Sequence, residues 1–211
     1  MKGSVRKTLL LPLLCSFILV TSSCLALDLE VDQPTDVLTI SHHKTVDLTH
    51  TQVKEILHHA FMALQKDPDI DDDHNCRMKF KKFAIKEFDS DDTPATVTSA
   101  EDMQLLAREP GHVKVVGAIN WNCGKITADE GSVWGCSPRG GNFIVVQHQV
   151  DPDNPATDGV LWLHELGHNA GLPDIRQKDV SHMSNKPVMT EWIDPTHTVL
   201  NELECRYFAS L

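Results

Sequence analysis

The chain has 211 residues, which is enough for one domain with its own hydrophobic core but too few for two domains of comfortable size. It carries 19 lysine and arginine residues against 30 aspartate and glutamate residues, a formal net charge of −11 with the histidines neutral. So acidic a protein is repelled by nucleic acid and by anionic membranes, which excludes both as main partners.

The N-terminal stretch has the pattern of a secretory signal peptide. Three basic residues lie within Met1–Lys7, an almost wholly apolar run extends from Leu9 to Val20, and small residues follow up to Ala26. The apolar run is shorter than the roughly 20 residues that a membrane-spanning helix needs. We therefore predict a signal peptide over residues 1–26, no stable membrane insertion after its removal, and a secreted or, in a Gram-negative bacterium, periplasmic protein.

Removal of residues 1–26 takes away three basic side chains and no acidic one, so 16 basic residues face 30 acidic ones and the net charge falls to −14. Residues 27–48 are mixed in character and are predicted to form an extended lead-in. Residues 49–211 are predicted to form the single folded domain, and we expect it to be a monomer.

Four cysteines remain outside the predicted signal peptide: Cys76, Cys123, Cys136 and Cys205. An even number in an exported chain favours two disulfides. Of the three possible pairings we predict Cys123 with Cys136, which closes a short loop containing glycine, and Cys76 with Cys205. A zinc site built from cysteines is the weaker alternative, because the chain has no Cys-x-x-Cys pair.

The spacing of apolar residues predicts helices mixed with strands, and hence an α+β or α/β domain with one sheet. Thr49 with Gln52 and Thr98 with Glu101 signal two of the helix starts, and the predicted strands are apolar or partly alternating. In chain order we predict a helix beginning at Thr49, a strand over Met78–Phe88, a helix from Thr98 to Pro110, strands over Val113–Ile119 and Phe143–Val146 (extending to Val150), and helices over Gly159–Ala170 and Thr198–Phe208.

The helix over Gly159–Ala170 contains the sequence His-Glu-Leu-Gly-His, in which His164 and His168 are four residues apart. On a helix this spacing puts both imidazoles on one face, where they can reach a single metal ion. Glu165 projects beside them, close enough to accept a proton from a water at that metal. The pattern therefore predicts two zinc ligands and a general base.

Two residues after the helix strengthen this interpretation. Gly171 follows His168 by three residues, and glycine readily adopts the left-handed conformation that ends a helix and reverses the chain. The reversal would bring Asp174 back toward the metal as a third ligand. Three protein ligands are typical of a catalytic zinc site, which keeps one position open.

His-Glu-x-x-His-x-x-Gly-x-x-Asp resembles the zinc motif of the metzincin metallopeptidases, with aspartate in place of the usual final histidine, a choice similar to that of the snapalysins. The resemblance extends roughly over residues 49–208. It implies a metzincin-type zincin domain: one twisted, mostly parallel sheet with an antiparallel edge strand, an active-site helix and a C-terminal helix. It also implies that the strand near residues 142–148 borders the cleft as an edge to which an extended substrate pairs.

Metzincins also have a methionine turn beneath the metal, for which Met189 is the preferred candidate and Met183 the alternative. The third ligand has alternatives as well. His182 lies eight residues after Asp174, and Glu191 would suit a site that takes its glutamate from a later helix. Asp174 is preferred because its spacing from Gly171 matches the motif.

The predicted function is secreted zinc-dependent endopeptidase activity on protein or peptide substrates, with one catalytic Zn²⁺ and Glu165 as general base. The alternative is a non-catalytic exported protein that retains the metzincin fold for zinc binding or for interaction with a partner. An intact glutamate at residue 165 favours the enzyme.

Overall fold

The computed structural model describes residues 37–64, 76, 80–123, 133–183, 186–198, 200, 202–209 and 211, without the side chains of residues 202 and 203. The predicted signal peptide and residues 27–36 of the predicted lead-in lie outside the described residues. All described residues belong to one compact unit, Gln33–Leu211. Within the described part of the chain, no helix combines the length and the apolar character needed to cross a membrane.

Five strands form the main sheet, in the spatial order β2 (Lys82–Glu87), β1 (Val37–His42), β4 (Val113–Val116), β7 (Ile144–Gln147) and β6 (Gly135–Cys136). The first four are parallel, and β6 runs antiparallel to β7. The prediction of a mostly parallel sheet with an antiparallel edge strand is therefore confirmed. Two short strands, β3 (Thr96–Val97) and β5 (Ala118–Ile119), form a second parallel sheet that the sequence did not predict.

The helices are α1 (His50–Leu64), α2 (Ala100–Arg108), α3 (Pro155–Asn169), α4 (Gln177–Val180) and α5 (Glu202–Phe208). The capping signal predicted before α1 is present, since the Gln52 N–H donates to Thr49 Oγ1 at 3.3 Å and the Thr49 N–H donates to Gln52 Oε1 at 2.8 Å. The cap of α2 lies one residue later than predicted. Ser99, not Thr98, is the N-cap residue, and its Oγ accepts from the Asp102 N–H.

Strands β4 and β7 bury both faces, and all their residues are apolar except Lys114 and Gln147. Because successive side chains point to opposite faces, Val113, Val115, Ile144 and Val146 join the core with α1 and α3, while Val116 and Val145 pack with Leu106 of α2. The sheet thus separates two layers. The layer that contains α1 and α3 is the one that positions the candidate site.

Several predicted segments differ from the structure: the last helix begins at Glu202 rather than Thr198, and the strand predicted over Met78–Phe88 is the shorter β2. Part of the predicted lead-in is β1, an interior strand in which Leu38 and Ile40 are buried. Its apolar pattern was hidden because Ser41 is buried as well, with its hydroxyl donating to the Pro110 carbonyl. The strand predicted over residues 113–119 is divided at Gly117, whose N–H donates to the Ala95 carbonyl. Helix α3 begins four residues earlier than predicted, with proline in its first turn.

Candidate metal centre

Helix α3 is buried over nearly its whole length, and two glycines allow its neighbours to approach closely. A Cβ at Gly159 would lie 2.9 Å from the backbone nitrogen of Ala60 in α1. A Cβ at Gly167 would overlap Met189 Sδ and lie 3.0 Å from Phe208 Cζ. This packing on both sides fixes the rotation of α3 about its axis, and with it the direction in which its histidines point.

His164, His168 and Asp174 form a group of potential metal ligands whose nearest ligand atoms all lie within 4.8 Å of one another. Asp174 Oδ1 lies 3.3 Å from His164 Nε2 and 3.3 Å from His168 Nε2. A tetrahedral zinc site with bonds of roughly 2.0–2.1 Å separates neighbouring ligand atoms by roughly 3.3–3.4 Å. Both distances from Asp174 therefore fit a zinc ion held by the three side chains.

Backbone carbonyls orient both imidazoles. His164 Nδ1 lies 2.9 Å from the Val188 carbonyl oxygen, and His168 Nδ1 lies 2.8 Å from that of Leu172. A carbonyl only accepts, so in each ring Nδ1 carries the proton and Nε2 keeps its lone pair for a metal. Such a carbonyl partner on the second ring nitrogen is typical of metal-ligating histidines.

The chain reverses after α3 at Gly171, whose φ of +99° lies in the left-handed region that favours glycine. The N–H groups of Gly171 and Leu172 donate to the carbonyls of His168 and Gly167, which satisfies the end of the helix. Beyond the turn, the Ile175 N–H donates to the Met189 carbonyl at 2.7 Å. Asp174 is thus held between the helix end and the segment that contains Met189.

Met189 is completely buried and packs beneath Gly167 of α3, whereas Met183 is 38% exposed. The turn is closed by Thr190, whose N–H and hydroxyl both donate to the Pro187 carbonyl. The residue before Met189, Val188, supplies the carbonyl that orients His164. The Met189 side chain thus lies against the helix that carries both histidines.

The two alternative third ligands lie outside the group. His182 is exposed. Glu191 lines the same cleft, but its Oε1 accepts from the Gln177 N–H at 3.0 Å. Of the three candidates, Asp174 is therefore the one whose carboxylate the structure brings to both histidines.

Glu165 is buried, with 6% of its surface exposed, and it lines the cleft together with both histidines. The backbone of β6 passes directly over its side chain. A Cβ at Gly135 would overlap the Glu165 carboxylate and lie 2.6 Å from its Cγ. Glycine at residue 135 therefore leaves the room that the carboxylate occupies.

The cleft has a volume of about 450 Å³. The prediction that the strand near residues 142–148 is its edge was wrong, because β7 is an interior strand paired on both sides with β4 and β6. Among the described strands, β6 forms the edge on this side of the sheet. The sequence could not show this, since β6 has only two residues and owes its place to pairing with β7.

Two cysteine pairs lie at disulfide distance, in the predicted combination. Cys123 pairs with Cys136 of β6, with Cα atoms 5.7 Å apart, and Cys76 pairs with Cys205 of α5, with Cα atoms 4.8 Å apart. The first pair lines the cleft and ties β6 to the chain that follows β5. The second joins residues 129 positions apart.

The surroundings of His168 favour positive charge. Burial by itself lowers its pKa, but the Asp174 carboxylate, the Glu165 charge and the Leu172 carbonyl together outweigh burial and raise the pKa of His168. A metal cation at Nε2 would meet the same negative charges.

Sequence reasoning missed three residues around this centre: Gly135, Arg139 and Asn169. The amide nitrogen of Asn169 lies within hydrogen-bond distance of Ser137 Oγ and the Phe143 carbonyl, and so links the end of α3 to the residues after β6. A polar residue directly after His168 in an apolar helix was the available signal. Nothing local pointed to Gly135 or Arg139, because both reach the cleft through strand pairing.

No protein-family model and no curated protein matches the chain. Among solved structures it resembles archaemetzincin from Methanopyrus kandleri, with a TM-score of 0.47 and 14% identity over 81% of this chain and 85% of that one. It also resembles metalloproteinase-II from Bacteroides fragilis, with a TM-score of 0.51 and 14% identity over 83% of this chain. The match spans 53% of the Bacteroides chain. This second likeness shows a related fold.

Proposed function

We propose that this chain is an exported zinc-dependent endopeptidase of the metzincin type, with aspartate as third ligand as in the snapalysins. The observation that carries the proposal is the convergence of His164 Nε2, His168 Nε2 and Asp174 Oδ1 beside Glu165 in one cleft. The fold shared with a metalloproteinase supports it. The two cysteine pairs are consistent with export, because disulfides persist in oxidising compartments.

The two histidines and Asp174 would hold the zinc ion, which when bound lowers the pKa of water and polarises a carbonyl oxygen. Glu165 takes a proton from the attacking water as the water oxygen bonds to the scissile carbonyl carbon. The same carboxyl then gives the proton to the amine as the carbon–nitrogen bond breaks. The carbonyls of Val188 and Leu172 keep the histidines in one tautomer throughout.

Strand β6 is the proposed guide for the substrate backbone. It ends the order of the main sheet, and its residues Gly135 and Cys136 line the cleft beside Glu165. An extended peptide that pairs with this edge would lie along the cleft with its backbone aligned by hydrogen bonds. The proposed substrates are therefore extended or unfolded polypeptides rather than folded surfaces.

The test compares zinc content and cleavage of unfolded casein for the exported protein and its Glu165→Gln variant. We expect Glu165→Gln to keep one zinc ion and to lose at least about a hundredfold in cleavage rate, since the general base is gone. The matched control is Glu55→Gln, the same chemical change on the exposed face of α1. Full activity in Glu165→Gln with zinc bound would disprove the role of Glu165.

The same measurements separate the alternative function. Stoichiometric zinc in the wild-type protein without cleavage of casein or of other unfolded proteins would identify a non-catalytic zinc-binding protein. Cleavage that a zinc chelator abolishes and added Zn²⁺ restores would identify the peptidase.

A further inference from the structure

The turn after β6 places a permanent positive charge at the cleft. Among the described residues that line the cleft, Arg139 is the one lysine or arginine, whereas Glu165, Asp174 and Glu191 contribute carboxylates. The Arg139 side chain is exposed, and no ion pair joins it to another described residue. Its guanidinium stays charged at every physiological pH. An ion pair within the described part of the protein therefore does not explain why an arginine lies at the cleft.

The backbone that carries Arg139 is tied to the last turn of α3. The N–H of Gly140, the next residue, donates to the His168 carbonyl at 2.9 Å. On the other side, the Asn169 amide nitrogen lies 2.6 Å from Ser137 Oγ and 3.2 Å from the Pro138 carbonyl. Asn169 itself is buried. The turn is thus held at a fixed place next to a candidate metal ligand.

The carboxylates of the cleft have other tasks. Glu165 and Asp174 belong to the proposed reaction centre, and Glu191 accepts the Gln177 N–H. The guanidinium of Arg139 therefore has its donors available to a molecule that enters the cleft. Arginine presents its N–H groups as a planar fork that matches the two oxygens of a carboxylate.

We propose that Arg139 is a specificity-determining residue that selects substrates with a carboxylate close to the scissile bond. The inference rests on the proposed peptidase function. The carboxylate belongs either to an aspartate or glutamate side chain or to the C-terminus of the substrate. Because the turn is already ordered, the pairing requires little further ordering of the backbone that carries the arginine. It also offsets the repulsion that a strongly acidic protein exerts on an acidic substrate.

The test uses a synthetic library of peptides of mixed sequence, each made once with a free C-terminal carboxylate and once with a C-terminal amide. The peptides are incubated with the zinc-loaded protein, and the peptide fragments that form are identified by mass spectrometry. Matched pairs that differ only in Glu versus Gln, Asp versus Asn, or acid versus amide are then compared by kcat/KM. The side-chain pairs and the terminal pairs distinguish the two sources of the carboxylate.

We expect the wild-type protein to favour the carboxylate member of one kind of pair by about fivefold, and Arg139→Gln to bring that ratio to about one. Arg108→Gln is the matched control, because Arg108 is exposed at the end of α2 and does not line the cleft. It should keep the ratio. A wild-type ratio near one, or a preference that survives in Arg139→Gln, overturns this inference alone. No cleavage of any peptide by the wild-type protein overturns the proposed function together with it.

Discussion

The floor and the rim of the cleft differ in how their side chains are held. The floor consists of α3 and the turn Pro187–Thr190, where His164 is 4% exposed and Met189 is completely buried. The rim consists of β6, the turn over residues 137–141 and residues 191–193, where Trp192 is 55% exposed. Backbone carbonyls fix the floor histidines, whereas the rim residues Arg139 and Trp192 face solvent. The difference teaches that substitutions in the floor would disturb the proposed reaction centre, whereas substitutions in the rim would alter the choice of substrate.

The largest expected effect is on zinc binding by the proposed ligands His164, His168 and Asp174. Asp174→Ala should weaken zinc binding by more than about a hundredfold, because only two of the three proposed ligands remain. His182→Ala and Glu191→Gln should keep stoichiometric zinc. Competition with a chromophoric zinc chelator measures all three. Loss of zinc in Glu191→Gln but not in Asp174→Ala would identify Glu191, rather than Asp174, as the third ligand.

The next effect is expected where rim and floor touch. Gly135→Ala adds a Cβ that overlaps the Glu165 carboxylate, so Glu165 must move and kcat should fall by about a hundredfold. Zinc content and melting temperature serve as controls for the fold. A cycle with Glu165→Asp, whose side chain is shorter, tests the contact directly. Because the two residues touch, their effects on kcat should not add, and strict additivity would show that the rim does not position Glu165.

The smallest effect concerns the far end of the floor helix. Burial, opposed by the Val150 N–H, raises the pKa of Asp158 to about 6. A raised carboxyl pKa means that the folded protein favours the protonated form, so stability falls as the pH rises from about 4 through 6. Asp158→Asn keeps an oxygen for the Val150 N–H and should stabilise the protein by roughly 1–3 kcal/mol at pH 8. Near pH 4 the gain should vanish.

Urea denaturation at the two pH values measures this gain, with Asp153→Asn, an exposed carboxylate of the same connection, as control. A gain that is equal at pH 4 and pH 8 would mean that the charge of Asp158 does not cause it. In that case the gain in stability would come from altered packing at the start of α3.

Features that depend on neighbours in the chain were predictable from the sequence. His164 and His168 share a helix face because four residues make about one turn, and Gly171 ends that helix because glycine tolerates its left-handed φ. The capping signal at Thr49 and the mainly apolar composition of β4 and β7 are equally local. A mostly parallel sheet follows from strands separated by helices.

Features that depend on distant pairing were decided by the tertiary structure. A β-bridge between Ile175 and Thr190 places Asp174, rather than Glu191, next to the two histidines. Strand β7 is interior because it pairs with β4 on one side and with β6 on the other. Gly135 and Arg139 reach the centre only through that edge. Sequence periodicity reports which face of an element is buried, but not which element lies against it. The active-site helix of the floor was therefore largely predictable from local sequence, whereas the rim was determined by the pairing of strands far apart in the chain.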